Sequence, residues 1–294
     1  MKGYFQLALG RKYINESIQF VSSLRAFGND FPVSVLVKEE DRLYALSREK
    51  FDKVIVLSED DPLFGLCKNN FEKYCLFPRL KLLDYIPYRE CIVIDTDVFC
   101  IYDTDRAWDV FRDKGQPFNC VGSYYDPAYH WSSVDKVNKK LQTNINCAHG
   151  GIFYINKDFG EKELEAFFLH LLYAFINYDK LGFARNFEDR DNYGKAQGAV
   201  TDEILFGYSM SKMNFNLLTY ELYPIMTFEI EGYLADKLSI PCYIQTWKWF
   251  SMHLEKTGKD KRIETKDPIP FVHCFGSEKQ KQESYQKIKS VIYQ

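Results

Sequence analysis

Short apolar runs separated by polar turns fill the first half of the chain, and between them apolar residues return at helical spacing. Tyr4 to Leu9 reads as a strand and Gly10-Arg11-Lys12 as the turn after it. Ile14, Ile18, Val21 and Leu24 then mark one face of a helix that Gly28-Asn29-Asp30 closes. Val33 to Val37 is a second strand, Leu43, Leu46 and Phe51 mark a short helix, and Lys53 to Leu57 is a third strand. Phe71 to Tyr85 reads as one helix ended by Ile86-Pro87-Tyr88, and the apolar run from Cys91 to Asp97 follows as a strand, with Val98 to Tyr102 continuing it. Further on come a strand from Ile152 to Asn156, a helix from Glu161 to Tyr178 and a helix start at Thr201-Asp202-Glu203. An aromatic, partly strand-like stretch from Leu217 to Trp249 and a polar helix over about Glu278 to Tyr293 complete the pattern. Strands alternating with helices predict an α/β fold, a Rossmann-like and mostly parallel sheet flanked by helices, with a smaller acceptor-side subregion.

The run Cys91-Ile92-Val93-Ile94 leads directly into Asp95-Thr96-Asp97. In extended chain, residues at i and i+2 point to one side, so the pattern places both carboxylates together. Two like charges beside an apolar strand are costly unless compensated, and a divalent cation such as Mg²⁺ or Mn²⁺ suits an oxygen-rich site. A strand end capped by two aspartates in a turn gives the same string, and the spacing alone does not choose between them.

Composition narrows the classes. Of 294 residues, 46% are hydrophobic and 17% aromatic, enough for a large core and too apolar for a disordered chain. The net charge of -3 argues against a general nucleic-acid binder. The eight cysteines form no CxxC pair and no zinc spacing, which points to a reducing, cytoplasmic setting. The first ten residues are too short and mixed for a signal peptide, and no apolar stretch approaches a membrane span, so any membrane contact is expected to be peripheral. The turn after the first strand lacks G-x-G-x-x-G, and no phosphate-binding G-x-x-x-x-G-K-[ST] occurs. One domain over residues 1-294 is expected, with a donor-binding part over about 1-156 and an acceptor-binding and closing part over about 157-294.

Three stretches together carry a resemblance. Leu82-Leu83-Asp84-Tyr85-Ile86-Pro87-Tyr88 precedes the apolar strand and Asp95-Thr96-Asp97; His149-Gly150-Gly151 opens the strand Ile152 to Asn156; and His273-Cys274-Phe275-Gly276-Ser277-Glu278-Lys279 has the form H-x-x-G-x-x-K. In this order they resemble the GT-A fold nucleotide-sugar glycosyltransferases, most of all glycosyltransferase family 8, the glycogenin and lipopolysaccharide galactosyltransferase group. The resemblance implies metal-dependent transfer of a hexosyl group from a nucleoside-diphosphate sugar, UDP-linked, to a carbohydrate, glycolipid or other hydroxyl acceptor, with retention of anomeric configuration. It implies Mn²⁺ or Mg²⁺ held by Asp95, Asp97 and His273. It implies a donor held by Ala8, Tyr13, Arg79, Asp95, Thr96, Gly150, Gly151, Gly276 and Lys279, and it places Asp202 and Glu203 at the reacting centre.

The chain departs from the family in places. Gly10 stands where the family has a base-binding aspartate, although Tyr13 remains where an aromatic stacks on uracil. Thr201-Asp202-Glu203 replaces Asp-Gln-Asp, which opens an inverting reading with Asp202 as the base. Gln280-Lys281 follows Lys279 in place of Pro-Trp. Tyr124, Tyr125, Tyr129, Trp131, Trp247 and Trp249 are candidates for an acceptor-stacking platform or for ordinary packing, and His149 is a further candidate for the acceptor side. A sugar-nucleotide nucleotidyltransferase and a non-catalytic carbohydrate-binding protein on the same fold are the competing classes.

Overall fold

The computed structural model describes residues 1–123, 134–145, 147–181, 183, 201–219, 223, 225–227, 242–244, 263–265, 269–274, 281–283, 285–286 and 289–290. In chain order the elements are β1 (Lys2–Leu7), α1 (Arg11–Ala26), β2 (Val33–Val37), α2 (Arg42–Leu46), β3 (Lys53–Val56), α3 (Pro62–Leu66), a π-helical turn (Glu72–Leu76), α4 (Phe77–Leu80), α5 (Leu82–Tyr85), β4 (Glu90–Ile94) and β5 (Val98–Cys100). Then follow α6 (Asp105–Arg112), β6 (Phe118–Ser123), α7 (Val134–Leu141), β7 (Cys147–Asn156), α8 (Glu161–Ile176), α9 (Tyr178–Leu181) and α10 (Asp202–Met213). The last strands are β8 (Leu218–Thr219), β9 (Met226–Thr227), β10 (Cys242–Ile244), β11 (Ile263–Thr265) and β12 (Phe271–His273).

The main sheet has seven strands in the order β3-β2-β1-β4-β7-β6-β8. β3, β2, β1 and β4 run parallel, whereas β7 lies antiparallel to both β4 and β6. The α/β expectation is therefore borne out, with a reversal of direction in the middle of the sheet. A small sheet of β5, β12 and β9 sits beside it, and β10 pairs with β11.

Period-two alternation explains the layering. Phe5, Val93 and Phe153 face one core with Phe77, Phe167 and Phe206, under α4, α8 and α10. Their neighbours Tyr4, Ile92 and Tyr154 face the other, with Phe20 from α1 and Trp108 and Phe111 from α6. Aromatic contacts lock both layers: Phe118 stacks on Phe167 at 4.0 Å between centroids, and Phe111 on Tyr154 at 5.3 Å. Such pairs add about 0.5–1.5 kcal/mol each beyond the area they bury.

Three local readings are corrected. The expected helix from Phe71 to Tyr85 is broken into a π-helical turn, α4 and α5. Pro78 has no N–H to give to the turn before it, and at Lys81 the backbone leaves helical dihedrals (φ -105, ψ 18). The strand expected to run through Asp97 stops at Ile94 as β4, and Asp95 to Val98 forms a turn in which the Val98 N–H reaches the Asp95 carbonyl at 3.3 Å. The strand expected to begin at Ile152, after Gly150 and Gly151, begins earlier, at Cys147. Both glycines lie inside β7, where pairing with β4 carries as far as Ile94–Ile152.

Candidate functional site

The site lies at the carboxyl end of β4, in the position where α/β sheets receive ligands. Ile94 is the last buried strand residue, and the turn after it presents Asp95 and Asp97. The turn is pinned from three sides. The Asp95 N–H donates to the Gly151 carbonyl at 2.9 Å, Gln6 Nε2 donates to the Asp95 carbonyl at 3.1 Å, and the Cys274 N–H donates to the Asp97 carbonyl at 2.9 Å. The two carboxylates thus converge through a fixed turn rather than through strand alternation.

β12 supplies the third group. It pairs antiparallel with β5, setting His273 opposite Val98, and His273 Nε2 lies 2.9 Å from Asp97 Oδ1. One ligand atom each from Asp95, Asp97 and His273 fall within 4.8 Å of one another. Two carboxylate oxygens and an imidazole nitrogen are a donor set for Mn²⁺ or Mg²⁺, and Asp95 keeps a third of its side chain open to solvent. The residues fit the metal that the resemblance implies.

Arg79, buried in α4, binds the cluster to a second pair of acids. Its Nη2 donates to Asp95 Oδ1 at 2.8 Å, while Nη1 donates to the Cys75 carbonyl and contacts the Cys75 sulfur, both at 3.1 Å. Its Nε lies 2.7 Å from Asp202 Oδ2, a close charge contact that is off the hydrogen-bond direction and leaves both atoms unsatisfied as hydrogen-bonding groups. Asp202 begins α10 directly after Thr201, where a negative charge meets the positive end of the helix. Gly150 makes room for it: a Cβ there would collide with the Asp202 carboxylate, its Cγ 3.0 Å away. Gly151 likewise admits the imidazoles of His149 and His273, whose Cε1 atoms lie 2.6 and 2.9 Å from where a Cβ would stand. His149 Nδ1 accepts the Gly151 N–H at 3.0 Å, and its ring lies edge-on to that of His273 at 5.4 Å.

The electrostatics separate the two aspartates. Burial pushes Asp95 up to about 6 against the pull of Arg79, with the neighbouring Asp97 adding to the rise. Burial acts the same way on Asp97, but His273 and Lys281 hold it well below the usual carboxylate range. Burial and the adjacent Asp202 carboxylate push Glu203 well above its ordinary value.

Asp95, Asp97, His273, Arg79, Gly150, Gly151 and Asp202 are therefore brought together, with Glu203 beside Asp202. Thr96 is not among the metal-cluster residues, and its hydroxyl donates to Glu16 Oε2 at 2.7 Å. Ala8 is buried just beyond β1 and hydrogen-bonds through its N–H to the Leu36 carbonyl at 2.8 Å. Tyr13 is exposed on α1, beside Gly10. Gly276 and Lys279 fall outside the described residues, as do Tyr124, Tyr125, Tyr129, Trp131, Trp247 and Trp249.

Two residues at the site were not anticipated. Lys281 Nζ lies 2.5 Å from Asp97 Oδ2 and 3.5 Å from Glu16 Oε1. Glu16 occupies a buried position on α1, and its one warning in the sequence was an acid among the apolar residues of that helix.

No protein-family model and no curated protein sequence matches the chain. Solved structures do. The galactosyltransferase LgtC, in complex with donor and acceptor sugar analogues, superposes with a TM-score of 0.56 at 14% identity, over 99% of this chain and 96% of that one. Mouse xyloside xylosyltransferase 1 in its apo form gives 0.55 at 13% identity, over 95% and 99%. The bifunctional glycosyltransferase WbbM gives 0.52 at 11% identity, over 99% of this chain and 50% of that one. The chain has the GT-A fold of these glycosyltransferases.

Proposed function

We propose that this chain is a metal-dependent glycosyltransferase that moves a hexosyl group from a nucleoside-diphosphate sugar, UDP-linked, to a hydroxyl of a glycan or glycolipid acceptor. The observation that carries the reading is the meeting of Asp95, Asp97 and His273, from segments 176 residues apart, at the carboxyl end of the middle strand of a GT-A sheet. Kinship with glycosyltransferase family 8 is part of the same proposal and accounts for the order of the three motifs. A divalent ion held by Asp95, Asp97 and His273 would supply positive charge to the leaving diphosphate.

The chain's own residues do the rest. Arg79 fixes Asp95 on one side and Asp202 on the other, so the metal-binding edge and the start of α10 keep one geometry. Gly150 and Gly151 let the Asp202 carboxylate and the imidazoles of His149 and His273 close directly on the β7 backbone, which holds these groups beside the carboxylate turn. Asp202 presents a carboxylate beside Gly150, on the side that the resemblance assigns to the anomeric carbon, and Glu203, whose proton is held more tightly than usual, adds a hydrogen-bonding group next to it. Retention at the anomeric carbon is the expected outcome, and proton NMR of the first product, before any mutarotation, reads it directly. An inverted product would instead assign Asp202 the part of general base.

The test is calorimetric titration of UDP into the protein with Mn²⁺ and with chelator, followed by a panel of nucleotide sugars. Tight UDP binding only with Mn²⁺ is the expected result, and equal affinity in both conditions would overturn the metal role. Release of pyrophosphate in place of a nucleoside diphosphate would overturn sugar transfer in favour of nucleotidyl transfer.

A further inference from the structure

Lys281 is a half-exposed type of residue in an unusual place. Its side chain is only 14% exposed, and it lies between two carboxylates, Asp97 and Glu16, that are themselves 17% and 8% exposed. Asp97 has its two oxygens divided: Oδ1 faces His273 and Oδ2 faces the Lys281 ammonium. Glu16 is divided in the same way, with Oε2 fixed by the Thr96 hydroxyl and Oε1 turned to Lys281. A small groove of about 50 Å³, lined by Lys12, Asn15, Glu16, Gln19, Phe99 and Lys281 among others, opens beside the contact, on the Glu16 side of the ammonium. The segment that carries Lys281 is docked a turn later by Tyr285, whose ring lies 5.5 Å from that of Phe99 on β5.

We propose that Lys281 is a tethered cation that competes with the divalent ion for Asp97, with Glu16 as the second seat for its ammonium group. The proposal rests on the metal reading of Asp95, Asp97 and His273. A divalent ion and an ammonium on one buried carboxylate repel each other, and little water is present to screen them. Metal binding therefore shifts Lys281 toward Glu16 and loosens the docking of the segment that bears it. By linkage, removing the ammonium tightens metal binding by the same factor that the metal weakens the lysine contact. Without nucleotide the lysine sets its one positive charge between the two carboxylates, and a bound ion hands the cation to the groove beside α1.

The experiment measures Mn²⁺ binding to the full chain without nucleotide, by electron paramagnetic resonance of free Mn²⁺, for wild type, Lys281→Met, Lys281→Arg and Asp97→Asn. Amide hydrogen exchange over residues 281–286 is followed in parallel. Lys281→Met is expected to bind Mn²⁺ about tenfold more tightly than wild type. Lys281→Arg, which keeps the charge, stays within about threefold of wild type, on the same coupling scale. Exchange over 281–286 rises when Mn²⁺ is added to wild type and does not change with Mn²⁺ in Lys281→Met. Equal affinity of Lys281→Met and wild type overturns the competition while leaving the metal site standing, and so does Lys281→Arg behaving like Lys281→Met. No Mn²⁺ binding by wild type and Lys281→Met alike overturns the metal reading itself.

Discussion

A methyl group on Gly150 would run into the Asp202 carboxylate, because β7 and the start of α10 pass each other with only a hydrogen between them. Gly150→Ala therefore pushes Asp202 off its contact with Arg79. Sugar transfer is expected to fall about a hundredfold, the scale of a 1 Å misplacement, while Mn²⁺ affinity stays near wild type; steady-state kinetics beside metal titration separates the two. Glu203 gives a pH signature. Its folded pKa lies above the ordinary 4.5, so the folded state holds a proton that the unfolded chain has lost. Stability on this account falls as pH rises from about 4.5 and levels off above the folded pKa. Glu203→Gln removes that decline, so urea melts at several pH values should show the variant gaining on wild type as pH rises. The carboxylates, His273 and the glycine pair were legible at this scale because their types and order are unusual together. Lys281 was not, since nothing local tells a lysine that it will meet an aspartate 184 residues earlier.

Among the elements, β1 and α6 show how the scaffold is held beneath the site. Trp108 Nε1 donates to the Tyr4 hydroxyl at 2.9 Å, and both rings are fully buried. Tyr4→Phe leaves the indole N–H without its acceptor, and a loss of about 1–3 kcal/mol in chemical denaturation is expected with Mn²⁺ binding retained. The strands β1, β2 and β3 were readable to within two residues, since apolar runs bounded by turn residues leave few other arrangements. The segment from 72 to 85 was not, because its apolar spacing is helical throughout while Pro78 breaks the hydrogen-bond ladder. That break leaves Arg79 in a four-residue helix of its own, whose place is set by packing against the sheet rather than by a continuous helix. The reversal at β7 was equally hidden, because a fully buried strand reads the same in either direction.

For the whole molecule, the metal reading predicts a ligand-linked stability. Mn²⁺ at about a hundred times its dissociation constant should raise the unfolding free energy by about 2.7 kcal/mol. Asp97→Asn and His273→Ala should each abolish most of that gain, which thermal melts with and without Mn²⁺ will show; an undiminished gain in both would place the ion elsewhere. The α/β architecture was legible as alternating strands and helices, and its GT-A form only through the three motif stretches taken together. The closing of the site by β12, in a separate three-stranded sheet with β5 and β9, was not, since three residues carry too little pattern to declare a partner. That late closure also has a consequence in time. Asp97 and His273 are joined across 176 residues, and at ribosomal speeds of about 5–20 residues per second roughly 10–35 s pass between the emergence of one and the other. During that interval β1 to β4, β6 and β7 can already pair, because those strands of the main sheet are in hand, while β5 and the carboxylate turn wait for β12 and its imidazole. A nascent chain of this protein thus has its main sheet well before it is chemically competent, and the arrival of β12 decides when it can hold an ion.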